Sequence, residues 1–127
     1  MKFLSILILT FATLSLPVNL EAADSHGKLR HVVSFKFKPD ASKEQIDAVV
    51  VAFRELQKTI PQIQAFEWGT NVSPEKHDKG FTHCFILTFE SEKDRDDYLV
   101  HPEHKKFGSN LGPVLGDVFV IDYWSKD

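Results

Sequence analysis

Near the C-terminal end of this 127-residue chain, the stretch Asp97–Gly108 reads DYLVHPEHKKFG and sets His101 and His104 three residues apart, just after Tyr98. An imidazole titrates close to neutral pH, so it can take a proton from a weak acid or return one. In an acid–base reading, His104 draws a proton from a carbon flanked by carbonyls while Tyr98 orients it. The i, i+3 spacing would also suit a metal pair. Against that, Pro102 interrupts the turn between the two histidines, and no cysteine or acidic residue follows at ligand spacing. His101, directly before Pro102, fits the cap of a short helix that begins at that proline. No cofactor-binding motif accompanies these residues.

Two more histidines, His31 and His83, alternate in phase with large apolar residues, which places both between a sheet and its covering helices. There His31 is suited to hold or polarise a carbonyl oxygen. A lone buried histidine ordinarily satisfies its nitrogens on backbone or side-chain partners. Several converging beside one tyrosine point instead to a ligand pocket. Its walls are expected to come from His83 with Val33, Phe35, Phe53, Phe85 and Phe107.

The elements that must position these groups follow from periodicity. LRHVVSFKFK (Leu29–Lys38) alternates strictly, with Leu29, His31, Val33, Phe35 and Phe37 on one face, and reads as a half-buried strand. Ser42 and Gln45 form a capping box. Ile46, Val49, Val50, Phe53 and Leu56 then recur at helical spacing, and Pro61 stops the helix near Thr59. Residues 63–72 read as a second strand with Phe66 and Trp68 on one face. FTHCFILTFE (Phe81–Glu90) gives a third, with Phe81, His83, Phe85, Leu87 and Phe89 in phase. Ser91 with Asp94 starts a second helix through Leu99. The helix beginning at Pro102 is expected to be broken up by Gly108, Gly112 and Gly116, and Asp117–Trp124 closes the chain as a fourth strand. The order β-α-β-β-α-β is the α+β, ferredoxin-like plan: a four-stranded antiparallel sheet with its helices on one face. Val32, Cys84 and Ile86 fall on the other face, which a second copy would cover in a homodimer.

Bulk properties narrow the function classes. Residues 1–23 carry Lys2, an apolar run from Phe3 to Leu16 and a small-residue end at Ala22–Ala23, and read as a cleaved secretory signal. The run is shorter than the roughly 20 apolar residues a bilayer span needs. The remaining residues, 24–127, make one domain, expected to be soluble, secreted or periplasmic, and free of the membrane after cleavage. The formal charge of −3 with scattered lysines carries no footprint for nucleic acid. Cys84 is the single cysteine, so no internal disulfide is available, and its apolar surroundings in sequence mark it as a small buried hydrophobe. Trp68 and Trp124 fit packing, and the charged stretch KHDKG a solvated loop.

HVVSFKFK, IPQIQAFEWGTNVS, GFTHCFILTFES and DYLVHPEHKKFG together resemble the stress-responsive A/B barrel (Dabb) family over about Leu29 to Tyr123. The resemblance implies a dimeric α+β barrel. Most of its members have no assigned reaction, and several are stress-associated or structural oligomers. A plant polyketide-cyclase branch closes linear poly-β-ketones by aldol chemistry. That branch implies pocket-facing roles for His31, Tyr98 and His104. A tyrosine of its pocket is matched here by Phe53, which removes a hydroxyl from the wall and argues for a different substrate.

Overall fold

The computed structural model describes residues 27–126; the secretory signal read at 1–23 lies outside them. Strand β1 (Leu29–Phe37) is followed by α1 (Lys43–Thr59), β2 (Ala65–Thr70), β3 (His83–Phe89), α2 (Glu92–Val100), α3 (Pro102–Leu111) and β4 (Leu115–Trp124). The strands form one antiparallel sheet in the order β2-β3-β1-β4. This is the ferredoxin-like arrangement that the order of elements implies.

Local chemistry sets the helix ends. Ser42 Oγ accepts from the Gln45 N–H at 3.1 Å while Gln45 Oε1 accepts from the Ser42 N–H at 2.8 Å, so two otherwise orphaned donors at the start of α1 are satisfied. The helix buries Val49, Val50, Phe53 and Leu56 on its inner stripe and ends before Pro61. Ser91 caps α2 by accepting from the Asp94 N–H. His101 then serves two helices at once: it is the last cap of α2 and the first of α3, with an extended backbone, and its Nδ1 accepts from the Glu103 N–H at 3.1 Å.

The strands read at 63–72 and 81–90 are shorter, Ala65–Thr70 and His83–Phe89, and two further differences involve glycines. Gly108 does not break α3, which continues to Leu111, because a helix interior tolerates glycine at a cost of about 0.5–1 kcal/mol relative to alanine. Strand β4 starts two residues earlier than Asp117. Gly116 lies where β1 and β4 shift register at Lys36–Phe37, and a Cβ on it would come within 3.1 Å of the Lys36 carbonyl oxygen, so any larger residue would push the two strands apart by a few tenths of an ångström.

One sheet face is dry along β1 and β3. Leu29, His31, Val33 and Phe35 of β1 and Phe85, Leu87 and Phe89 of β3 all lie buried beneath the helices. The rings of Phe53 and Phe107 stack at 4.7 Å between centroids, and Phe53 also meets Phe85 at 4.7 Å, joining α1, α3 and the sheet. The opposite face carries Val32, Cys84 and Ile86, only partly covered, and Phe119, Ile121 and Tyr123, which are half exposed. Among the described residues no helix is long and apolar enough to cross a membrane.

Candidate active-site cleft

Between the helices and the β1–β4 half of the sheet lies a cleft of about 640 Å³. Antiparallel register builds its floor. His31 pairs with Asp122, Val33 with Val120 and Phe35 with Val118, and all six residues line the cleft. Its walls are Arg95 and Tyr98 from α2 and His104, Phe107, Gly108 and Leu111 from α3, the last four at the i, i+3, i+4, i+7 spacing of one helical stripe.

The polar groups form two separate devices. His31 Nδ1 lies 2.6 Å from Asp122 Oδ1, and Arg95 Nη1 donates to Asp122 Oδ2 at 2.7 Å, so one carboxylate binds a ring and a guanidinium. Arg95 Nε donates in turn to Asp96 Oδ1 at 2.9 Å. The paired carboxylates hold the guanidinium pKa above its ordinary value. An ionised carboxylate can only accept, so His31 Nδ1 carries the hydrogen of this contact. The second device is His104, whose Nδ1 lies 3.1 Å from the Leu99 carbonyl oxygen. A carbonyl likewise only accepts, and the Nε2 of neutral His104 is left as a base. Burial pulls the His104 pKa below the ordinary histidine value. The Leu99 carbonyl opposes this, and His31 and His101 add to it.

Tyr98 stands between the two devices. Its ring centroid is 4.3 Å from that of His104 and 5.7 Å from that of His31. It is almost wholly buried, and that burial, with Asp122 nearby, drives the phenol pKa well above its usual value. The hydroxyl therefore stays protonated, a hydrogen-bond donor throughout the physiological range.

Of the residues singled out from sequence, the structure brings His31, Val33, Phe35, Phe53, Tyr98, His104 and Phe107 to the cleft. It does not bring His83 or Phe85. Both lie on β3, on the far side of β1 from the cleft. His83, opposite Phe35 in register, stacks on Trp68 with its ring centroid 6.1 Å away and packs edge-on against Phe37. Phe85 is fully enclosed in the aromatic core. His101 caps α3, as described above. Sequence reasoning missed Asp122 and Arg95. One signal was available for Asp122: in VFVIDYW it keeps the phase of Val118 and Val120. Among the described residues, no group of three or more histidine, cysteine or acidic side chains is placed to hold a metal ion.

A four-stranded antiparallel sheet with its helices on one face and a histidine-lined cleft between them makes a ferredoxin-like α+β domain. Residues 29–125 match the stress responsive A/B barrel domain, Dabb, and the chain belongs to that family. Stress-response A/B barrel domain-containing protein HS1 of Arabidopsis thaliana is 36% identical over 100 residues, covering 79% of this chain and 92% of that protein. Olivetolic acid cyclase of Cannabis sativa is 28% identical over 95 residues, covering 75% and 94%. The solved structure of hydroxynitrile lyase from Passiflora edulis superimposes with a TM-score of 0.74 at 28% identity, covering 80% of this chain and 95% of that one. Three further solved structures of this fold, at 19%, 24% and 27% identity, are described as dimeric.

Proposed function

We propose that this domain is exported, forms a homodimer through its open sheet face, and retains a small, largely apolar molecule in the cleft beneath its helices. The observation that carries the reading is the cleft itself: apolar walls of Val, Phe and Leu around the two imidazoles of His31 and His104. Its volume falls in the range of small-molecule sites. The leader read at 1–23 supports export. The half-exposed Phe119, Ile121 and Tyr123 beside Val32 and Ile86 support a partner sheet, as does the dimeric description of neighbouring structures.

The tethered tautomers favour a second reading, in which the retained molecule also reacts. His104 Nε2 takes a proton from a carbon next to a carbonyl, and the Tyr98 hydroxyl donates to the oxygen that gains charge. His31, held through Nδ1–H by Asp122, polarises a carbonyl oxygen when its Nε2 carries a proton, with Asp122 balancing the charge. Two relatives named as enzymes, a cyclase and a lyase, support this reading. Phe53, without a hydroxyl, argues that the substrate differs from that of the cyclase branch.

Mass spectrometry of molecules released from the native protein tests retention. Release of a small apolar compound supports the proposal; an empty cleft that also takes up no ketone or aldehyde probe overturns it. With a compound in hand, His104→Ala abolishes turnover if the cleft is catalytic and only weakens retention if it is not. Sedimentation velocity tests assembly. Ile121→Glu is expected to convert a dimer to a folded monomer, and a wild-type protein that is monomeric at micromolar concentration refutes the dimer.

A further inference from the structure

Gly108 is the one position on the inner stripe of α3 without a side chain. It follows His104 by one helical turn, and its neighbours on the stripe, Phe107 and Leu111, are both buried. Nothing in the backbone asks for glycine here. The positive-φ glycine among the described residues is Gly80, in the loop before β3, and Gly108 lies well inside α3. Packing does not ask for it either. A Cβ added at Gly108 meets no heavy atom within 4 Å, in contrast to Gly116, where one would crowd the Lys36 carbonyl. A glycine in a helix interior weakens the helix relative to alanine. The fold therefore gains nothing from it, while the cleft gains a bay in which a ligand can approach the helix backbone beside the base.

We infer that Gly108 is the size-selecting position of the cleft, holding open a bay for the broad, ring-bearing end of a carbonyl ligand one helical turn from His104. This rests on the small-ligand reading above. Residues at i and i+4 stand about 5–6 Å apart at Cβ, so a ring seated at Gly108 places an attached carbonyl within reach of His104 Nε2. The stacked rings of Phe53 and Phe107 form the neighbouring wall and suit a flat aromatic partner.

The test compares two aryl ketones of different breadth, acetophenone and 2-acetylnaphthalene, by calorimetric titration into the wild-type protein, Gly108→Ala and Gly108→Leu. Both variants are expected to fold, since each replaces glycine by a better helix former in open space. Gly108→Ala should raise Tm by roughly 2–6 °C. The expected signature is selective: Gly108→Leu weakens the naphthyl ketone at least tenfold more than acetophenone, with Gly108→Ala between it and wild type. Wild-type uptake of both ketones with an unchanged ratio of Kd values in Gly108→Leu overturns the assignment of Gly108 alone. Wild-type protein that takes up neither ketone overturns the small-ligand reading, and this inference with it.

Discussion

The helix-covered side of the sheet is two regions that share strand β1 and differ in what fills them. Over β3, Phe85, Leu87 and Phe89 are fully enclosed, and Phe53 from α1 closes on Phe85 ring against ring. Over β4 the same layer is hollow, and its inward positions hold His31, Asp122, Tyr98 and His104 along with apolar residues. The cause is the covering helices. One continuous 17-residue helix with an apolar stripe covers the first region, whereas α2 and α3, hinged at His101–Pro102, form the walls of the second. The aromatic half packs the core of the domain, while the other half lines a space with polar groups, among them the bonded set His31, Asp122 and Arg95. The packed core and the polar-lined cleft thereby lie on opposite sides of one strand.

The largest effect that would break this division is Phe53→Ala. Phe53 is 1% exposed and touches Phe35, Phe66, Phe85 and Phe107, so the change removes contacts on both sides of the sheet–helix layer. A loss of about 3–5 kcal/mol is expected in urea unfolding. His104→Ala, on the hollow side, should cost less than about 1 kcal/mol, because its ring faces a cleft rather than a packed core. Equal losses in the two variants would show that the regions are not separable.

Asp122→Ala comes next. It strips His31 Nδ1 and Arg95 Nη1 of their shared acceptor in a site only about one-fifth exposed, with an expected cost of about 1–3 kcal/mol. Arg95→Met should cost less, under about 1 kcal/mol, since it leaves Asp122 with His31 and with solvent. A double-mutant cycle between positions 95 and 122 measures their coupling. A coupling indistinguishable from zero would mean that Arg95 only rests on the carboxylate and does not hold it in place for His31.

How much of this was legible in the sequence follows the same division. The dry half was readable because β1 and β3 alternate cleanly and α1 carries one apolar stripe; those patterns are what a two-sided element against a core must show. Alternation gives the face of a side chain, however, and not its place along or across the sheet. His83 has the right face and the wrong strand, one step from β1 in the direction away from the cleft. Asp122 was hidden because Val118, Phe119, Val120 and Ile121 are apolar on both faces of β4, which erases the phase that would have made an inward carboxylate conspicuous. Its partnership with His31 is a pairing across 91 residues that no local window contains. Arg95 was hidden for a related reason. α2 buries only Tyr98, so no stripe marks its inner side, and an arginine three residues before that tyrosine looks like one more charge on a polar helix.

The smallest effect expected is in pH dependence, and it separates the two regions without altering packing. Burial lowers the folded-state pKa of His104, and on the other side of β1 it also lowers that of His83, where Asp47 partly opposes the shift. For a base whose folded pKa lies below its unfolded value, the unfolded chain takes up the proton first as pH falls. Each ring therefore contributes no penalty well above the unfolded histidine value, and a penalty that grows as pH drops below it and levels off beneath the folded value. Thermal unfolding at pH 7.5 and 5.0 should show a lower Tm at the acidic pH. His104→Gln and His83→Gln should each reduce that difference, through sites on opposite sides of β1 that share no contact, so the double variant is expected to show the sum of the two reductions. A double variant that falls short of the sum would join the two regions electrostatically and undo the division between them.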